Sequence, residues 1–141
     1  MDPRVLRVQQ FFETISRDSV PRVPEIYAVQ AYFKDPFNEV QGVAAIGRIF
    51  EHMFVQVQAP SFIVREAVTQ GDDAFLTWDF VFRSGRLGRG EQEIRGASHL
   101  KFDADGRVKY HRDYWDAAEE LYEKIPLLGG LMRFVKRRAA H

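Results

Sequence analysis

Asp35 is the first residue whose type and setting could do chemistry, because this acid stands in the stretch YFKDPF among three aromatic rings. An aspartate in water is a weak base, whereas burial among apolar rings disfavours its charged form and makes it a stronger proton acceptor. Asp-Pro is also a common opening of a turn. Two interpretations of Asp35 therefore stay open: a pocket carboxylate that accepts a proton, or a turn residue.

His111 and Asp113 are the second candidates, because they stand two residues apart in the stretch VKYHRDYWD. Residues at this spacing share one face of a strand, about 6–7 Å apart along the backbone, so the imidazole and the carboxylate could share a proton. Alternatively they form a buried structural pair, or they pair with Arg95 or Arg112. Periodicity alone does not decide whether this face points inward.

Aromatic side chains are abundant, with 12 phenylalanines among 141 residues, and they could line a ligand cavity or only fill a core. The candidates for a cavity wall are Trp78, Phe80, Phe50, Phe54 and Trp115. Ser98 is the one polar residue on the otherwise apolar face of its predicted strand. Its hydroxyl could orient a ligand carbonyl or satisfy a backbone group.

Composition excludes several kinds of site. Without cysteine the chain has no disulfide, thiolate metal site or thiol nucleophile; this fits a reducing compartment, and we expect the cytoplasm. Four scattered histidines give no support for a metal site, and no cofactor is implied. The 20 basic residues balance the 20 acidic ones, so no global field attracts nucleic acid. No apolar run reaches the length of a membrane span.

The elements that must position these residues follow from the spacing of apolar side chains. Asp2 caps the first helix, and Asp116 with Glu119 forms a capping box for the last one, which Pro126 ends. Between these caps, apolar residues recur every 3.6 positions in some segments, which indicates helices, and every second position in others, which indicates strands. The predicted elements are a helix from Pro3, a short helix near 24–27, a strand over 29–35, a helix over 46–57, and strands over 61–70, 73–83, 91–103 and 107–115.

Alternation along the strands assigns faces to the candidate residues. Trp78 and Phe80 share the face toward the helices, and Ser98 and Leu100 share the corresponding face of the next strand. In the first strand the shared face carries Val29, Ala31, Phe33 and Asp35. Short turns join the four long strands, which makes consecutive strands antiparallel. We therefore predict the α+β class, with helices on one face of a curved antiparallel sheet.

Three stretches carry a likeness to a known group: KDPF, GVAAIGRIF and HLKFDADGRVKYHRDYW, in this order of elements. Over roughly residues 5–123 the chain resembles the nuclear transport factor 2-like superfamily, including its SnoaL-like and ketosteroid isomerase-like members. The resemblance implies a cone in which the curved sheet wraps around the helices and encloses an apolar cavity. It makes 1–125 the domain and leaves 126–141 as a basic amphipathic tail.

The resemblance also implies roles for individual residues. Asp35 matches the general-base aspartate of the isomerases, and Phe11 and Ser98 stand where those enzymes carry their two oxyanion donors. Asp113 matches a catalytic aspartate of limonene epoxide hydrolase, and His111, Asp113 and Trp115 match pocket residues. The implied site has Asp35, His111 and Asp113 as catalytic residues, and as its wall Phe11, Ile15, Phe33, Phe50, Phe54, Trp78, Phe80, Ser98, Leu100 and Trp115.

The function implied by the resemblance is proton abstraction next to a carbonyl by a cofactor-independent isomerase, cyclase or dehydratase. Its ligand would be a small apolar molecule such as a polyketide or steroid-like compound. The alternative is a non-catalytic ligand-binding or protein-interaction domain of the same fold. Because Phe75, Val81 and Ala97 face outward, we expect a homodimer. The tail could cover the cavity mouth, contact a partner subunit or touch a membrane, and we expect no membrane contact.

Overall fold

The computed structural model of this chain describes residues 1–88, 90–121 and 137–139. Within them the α+β class is confirmed. The predicted tail over 126–141 lies outside the described residues except for 137–139. In chain order the elements are α1 (Pro3–Glu13), α2 (Val23–Ile26), β1 (Tyr27–Lys34), β2 (Glu39–Gln41), α3 (Val43–Gln56), β3 (Gln58–Gln70), β4 (Asp73–Arg83), β5 (Glu91–Phe102), β6 (Val108–Tyr114) and α4 (Ala117–Glu120).

The six strands form one curved, open sheet in the order β2-β1-β6-β5-β4-β3. The hairpins from β3 to β6 are antiparallel, as the turns predict. The prediction of a wholly antiparallel sheet is wrong at one place, because β1 pairs with β6 in parallel. The chain leaves β1, passes through β2, α3 and the strands β3, β4 and β5, and returns as β6 beside β1 in the same direction. This pairing brings Phe33 opposite His111.

Helix α1 begins where the sequence predicts. The Asp2 carboxylate accepts from the Arg4 amide at 2.8 Å, and Pro3 occupies the first helical position. The Arg4 guanidinium contacts both Asp2 and Asp72, which ties the helix to the β3–β4 turn. Its hydrogen bond to the Asp2 carboxylate is the main reason why the pKa of Asp2 is lowered to about 2.

The core lies between the helices and the inner face of the sheet. Val5 and Val8 of α1 and Ile46 and Phe50 of α3 are buried, as their helical spacing predicts. The prediction that Val29 shares one face with Ala31 and Phe33 is wrong, because Val29 is 72% exposed whereas the other two are buried. The pairing of β1 with β6 shifts register before Tyr32, and this irregularity breaks the alternation that the sequence suggested.

Helix α4 begins at its predicted cap, since the Asp116 carboxylate accepts from the Glu119 amide at 3.1 Å. The Glu119 carboxylate also accepts from Arg95, at 3.4 Å. The buried Glu120 accepts from the Arg95 amide and guanidinium as well. These contacts fasten α4 to β5; the predicted continuation toward Pro126 lies outside the described residues.

Candidate active site

A continuous row of hydrogen bonds crosses the inner face of the sheet. Trp78 Nε1 donates to Ser98 Oγ at 2.8 Å, and Ser98 Oγ donates to Asp113 Oδ1 at 2.5 Å. On the other side His111 Nε2 lies 2.6 Å from the same Oδ1, and Tyr27 Oη lies 2.7 Å from His111 Nδ1. Four strands thus contribute to one buried polar network, in which each member orients the next.

The strand registers explain why these side chains meet. Ser98 on β5 stands directly opposite Asp113 on β6, and Leu100 stands opposite His111. Trp78 on β4 stands opposite Gly96 on β5, and its indole extends across that glycine toward Ser98. A Cβ at Gly96 would lie only 2.6 Å from the Trp78 Cζ2 atom, so a side chain there would collide with the ring. The missing side chain at Gly96 therefore makes room for the indole.

Tyr27 fixes the tautomer of His111. Its hydroxyl is buried, and burial followed by the nearby Asp113 charge raises the pKa of Tyr27 well above the usual 10.0. The phenol keeps its proton and is assigned as the donor, with His111 Nδ1 as its acceptor. In the same assignment His111 Nε2 carries a hydrogen and donates to the Asp113 carboxylate. Every buried donor of the row then has an acceptor.

The two oxygens of Asp113 differ in their surroundings. Oδ1 accepts from both Ser98 and His111. Oδ2 accepts no hydrogen bond from the described residues and is not buried, since Gln9 Oε1 is the only buried unpaired side-chain atom in that part of the chain. The Asp113 side chain as a whole is 18% exposed. One oxygen thus holds the carboxylate in place while the other stays available to a ligand.

Asp113 lines two separate spaces. The first is an inner cavity of about 40 Å³, whose polar wall atoms come from the hydrogen-bonded row and Gln9. The second is an open groove of about 580 Å³ at the adjacent ends of β1 and β6. The lining residues of the groove are Lys34, Asp35, Pro36, Arg112, Asp113, Tyr114, Trp115 and Asp116. A ligand in the groove can therefore contact Asp113.

Asp35 lies just beyond β1, at the start of the turn to β2. Its Oδ1 accepts from the amides of Phe37 and Asn38 at 2.8 and 2.7 Å, and the Asn38 side-chain amide contacts both oxygens. These contacts form the turn that Asp-Pro favours. Asp35 also lines the groove, whose wall is partly charged. Its role as a base stays a prediction.

The structure brings together only part of the predicted pocket wall. Phe50, Trp78, Ser98 and Leu100 line the inner cavity, and Trp115 lines the groove. The other predicted wall residues pack nearby without lining either space: Phe11, Ile15 and Phe33 are buried, and Phe54 and Phe80 are half-buried. Among the described residues the Ser98 hydroxyl bonds to no backbone group, because it bridges Trp78 and Asp113.

The alternative partners proposed for His111 and Asp113 are taken by other groups. Arg95 pairs with Glu119 and Glu120, and the Arg112 guanidinium lies 4.7 Å from the centre of the Tyr114 ring. His111 and Asp113 instead contact each other. The edge of Phe33 also packs against His111, with 4.8 Å between ring centres.

The residues that sequence reasoning missed include two polar ones on the inner side of the sheet, Tyr27 and Gln9. Tyr27 is 84 positions from His111, and the sequence assigned it to the end of a short helix. The alternation of Val29, Ala31 and Phe33 extends back to Tyr27 and was the available signal. Gln9 stands four positions after Val5 on the apolar stripe of α1, where a polar residue is out of place.

Within the described residues no group of three or more acidic, histidine or cysteine side chains is arranged to hold a metal ion. None of the helices in the same part of the chain has the length and apolarity needed to cross a bilayer. The polar groups of the inner cavity and its hydrogen-bonded row are hydroxyl, indole, imidazole, carboxylate and side-chain amide groups.

Comparison with solved structures supports the architecture. A protein with a ketosteroid isomerase-like fold from Catenulispora acidiphila is 10% identical over 86% of this chain and 91% of its own, with a TM-score of 0.73. An NTF2-like protein from Burkholderia pseudomallei is 15% identical over 84% and 95%, with a TM-score of 0.72. An epoxide hydrolase of the limonene epoxide hydrolase-like type from Mycobacterium tuberculosis is 13% identical over 94% and 91%, with a TM-score of 0.71. At these identities the likeness shows a shared fold.

A comparison with family profiles supplies the relationship that these structures leave open. A search of curated proteins gives no significant match. The profile described as the SnoaL-like domain matches residues 8–111, which run from the middle of α1 to the histidine of the buried row. This match covers most of the chain and all the strands of the sheet except the end of β6. The chain therefore belongs to the SnoaL-like domain family.

Proposed function

We propose that this protein is a cofactor-independent isomerase or cyclase in which Asp113 removes a proton from a carbon next to a carbonyl group. The observation that carries the proposal is the asymmetry of Asp113. Oδ1 is held by Ser98 and His111, whereas Oδ2 is unpaired among the described residues and the side chain lines an open groove. A fixed carboxylate with one free oxygen is suited to general-base catalysis.

The chemistry balances with the groups at hand. Oδ2 takes the proton, the C–H electron pair forms the enolate, and the negative charge passes from the carboxylate to the carbonyl oxygen. Lys34 and Arg112 line the same groove and make no ion pair with the described residues, so their charges can stabilise the enolate. The protonated Asp113 then returns the proton to another carbon, or the enolate carbon attacks a second carbonyl and closes a ring.

Asp113 is a better candidate for this step than Asp35. Each of the two carboxylates lines the groove. Both oxygens of the Asp35 carboxylate, however, accept hydrogen bonds: Oδ1 from two backbone amides, and each oxygen from the Asn38 side-chain amide. A proton on either oxygen would therefore compete with an existing bond. Protonation of Asp113 at Oδ2 leaves both of its own hydrogen bonds in place. The geometry therefore supports Asp113 as the base.

The test is deuterium exchange into 2-tetralone, an enolisable bicyclic ketone, followed by NMR in D₂O. We expect Asp113→Asn to lower the protein-dependent exchange rate at least about a hundredfold, because general-base catalysis contributes about that much or more. Asp18→Asn removes an exposed carboxylate from the turn after α1, which does not line the groove, and serves as the matched control.

Asp35→Asn completes the comparison. An exchange rate that falls in Asp35→Asn and persists in Asp113→Asn would assign the base to Asp35. Exchange that is the same in both variants and in wild type would contradict catalysis by either carboxylate. Far-UV circular dichroism of each variant separates loss of the base from loss of the fold.

One observation favours a non-catalytic binding protein as the second candidate. The hydroxyl of Ser98 and the indole of Trp78 both donate within the buried row, so neither is free to hold an enolate oxygen. Phe11, at the position of the other family donor, is buried and apolar. If 2-tetralone binds without exchange in wild type, the protein is a ligand-binding module. The cytoplasmic location suggested by the cysteine-free sequence stays a prediction.

A further inference from the structure

Gln9 on α1 presents an unusual atom to the inner cavity. Its side chain lines that cavity, and its Oε1 is buried without a hydrogen-bond partner among the described residues. A buried acceptor left without a donor loses its hydration and costs free energy. Such an atom is expected where a bound molecule completes the hydrogen bond.

The orientation of the Gln9 amide is dictated by its neighbour Glu13. Gln9 Nε2 donates to Glu13 Oε1 at 3.2 Å, and Glu13 Oε2 accepts from the Val64 amide at 3.0 Å, which fixes the carboxylate against β3. Turning the amide over would place two acceptor oxygens against each other. Oε1 must therefore point away from Glu13.

The polar side-chain atoms around the inner cavity that have no hydrogen-bond partner among the described residues are acceptors. Trp78, Ser98 and His111 each donate a hydrogen bond within the buried row. The unpaired atoms on residues that line this cavity are Gln9 Oε1 and Asp113 Oδ2, within the part of the chain that the structure describes. Both can only accept, so the complementary group is a hydrogen-bond donor.

The size of the cavity limits what this donor can be. A volume of about 40 Å³ exceeds the roughly 10–15 Å³ that one water needs, and it is far below the roughly 150 Å³ of a cavity that holds a benzene ring. The rest of the wall is mainly apolar, with Phe12, Phe50 and Phe62 among the lining residues. One hydroxyl-sized group fits the space; a ring must stay in the groove.

We propose that the inner cavity is a subsite for one hydroxyl or N–H group of the ligand, and that Gln9 determines this specificity by accepting its hydrogen bond. The inference rests on the proposed function only in assuming that the carbonyl-bearing part of the same ligand occupies the groove. Asp113 lines both spaces, so the subsite adjoins the groove at this residue. A preference for hydroxylated over unsubstituted ketones follows.

The first measurement needs no ligand. Gln9→Met keeps the length of the side chain and removes the unpaired oxygen, so we expect the urea midpoint of unfolding to rise above that of wild type. Gln10→Met changes the exposed neighbour on the same helix and is the matched control. Gln9→Met also removes the exposed bond from Nε2 to Glu13, an i,i+4 pair of small effect. A midpoint that falls in Gln9→Met by more than this small effect, and not in Gln10→Met, would mean that Oε1 has a stabilising partner in the empty protein, which overturns the proposal.

The second measurement compares the dissociation constants of 2-tetralone and its 6-, 7- and 8-hydroxy derivatives, followed by the NMR shift of the Trp78 indole N–H. We expect at least one hydroxy isomer to bind wild type about fivefold more tightly than the parent ketone, as one added hydrogen bond allows. Gln9→Met should reduce this ratio to about one, and Gln10→Met should leave it unchanged.

The proposal is wrong if no hydroxy isomer binds more tightly than the parent ketone. A water molecule bound permanently in the subsite would give the same result and would also overturn the proposal. A preference that survives in Gln9→Met overturns it as well. Failure of the proposed function is seen separately, because it would remove Asp113-dependent deuterium exchange and leave the binding ratio intact. An exchange-competent protein with no hydroxyl preference would instead retain the function and refute the subsite.

Discussion

At the level of single residues, the site depends on a row of donors that all point toward one carboxylate oxygen. Tyr27 donates to His111 and Trp78 donates to Ser98, so hydrogens run toward Asp113 from both ends. A buried polar row of this kind is stable only when every member is satisfied. The row therefore fixes the orientation of the Asp113 carboxylate and leaves Oδ2 unpaired among the described residues. Tyr27 is the residue at one end of this row.

The variant Tyr27→Phe tests how much the Tyr27 hydroxyl contributes to the free energy of unfolding, and how that contribution changes at alkaline pH. At neutral pH we expect Tyr27→Phe to lower the free energy of unfolding by about 1–3 kcal/mol, because His111 Nδ1 loses its buried donor. Below pH 10.0, the usual pKa of tyrosine, both the folded and the unfolded wild type keep the phenol proton. Above that pH only the unfolded state releases it, so wild type loses stability as pH rises toward the elevated folded-state pKa.

The difference between wild type and Tyr27→Phe should therefore shrink above pH 10.0. Urea unfolding between about pH 8 and about pH 11 measures it, with Tyr114→Phe as a control at a tyrosine that is 49% exposed. A difference that stays constant across this range would show that the Tyr27 hydroxyl is not protected from ionisation by the fold.

At the level of secondary structure, β5 positions the hydrogen-bonded row through two residues, the hydroxyl-bearing Ser98 and Gly96, which has no side chain. Gly96 leaves the space that the Trp78 indole fills, and Ser98, two positions later, receives the indole hydrogen. The same alternation that makes Ser98 inward makes Gly96 inward. The inward position of Ser98 was predictable from the sequence, but its partners depend on which strands pair.

Gly96→Ala should disturb the site without altering any polar group. The new methyl group would collide with the Trp78 ring, whose Cζ2 lies 2.6 Å from the Cβ position. We expect a loss of about 1–3 kcal/mol in the free energy of unfolding, as for other overpacked core positions. The Trp78 indole N–H resonance should also move, because its hydrogen bond to Ser98 is lost.

Gly47→Ala on α3 is the control for this substitution. No atom lies within 4 Å of a Cβ at Gly47, and alanine favours the helix, so this variant should be as stable as wild type or more stable. Gly96→Ala with unchanged stability and an unmoved indole signal would mean that the ring does not occupy the space above the glycine.

The elements that the sequence predicted well are those in which local spacing and tertiary burial agree. The apolar stripe of α3 and the inward face of β4 are of this kind, with Phe50 and Trp78 buried as expected. The parallel pairing of β1 with β6 has no local signature, because it depends on how the chain returns after three hairpins. The contacts of His111 with Tyr27 and Phe33 follow from that pairing, so spacing alone could not reveal them.

At the level of the whole molecule, the predicted cone contains less open space than its aromatic content suggested. The rings of Phe12, Phe50 and Phe62 pack edge to face, about 5.5 Å apart, and leave an inner cavity of only about 40 Å³. Composition is the same whether aromatic rings fill a core or surround a ligand. The groove of about 580 Å³ is within the usual size of small-molecule sites, so it is the space suited to the body of a ligand.

The outer face of the sheet is the surface on which we expect a second copy of the chain. Aromatic rings from four strands contact one another across it. Between ring centres, Phe75 stacks 4.3 Å from His99, and His99 lies 5.3 Å from Tyr110. Tyr110 in turn stacks on Tyr32, with 5.4 Å between ring centres. Phe75 is 47% exposed and the neighbouring Val68 is 63% exposed. A broad aromatic surface of this kind favours a two-fold contact in which the same patch serves both subunits.

Light scattering after size-exclusion chromatography tests this dimer. The chain has a mass of 16.4 kDa, so we expect the wild-type particle to have about twice that mass. Phe75→Glu places a charge on the aromatic face and should shift the equilibrium to the monomer, because a charge buried in the subunit contact would have no partner. Val55→Glu changes a residue that is 71% exposed on α3, away from the sheet, and should leave the dimer intact. A monomeric wild type, or a dimer that Phe75→Glu does not weaken, would move the subunit contact away from this face or remove it altogether.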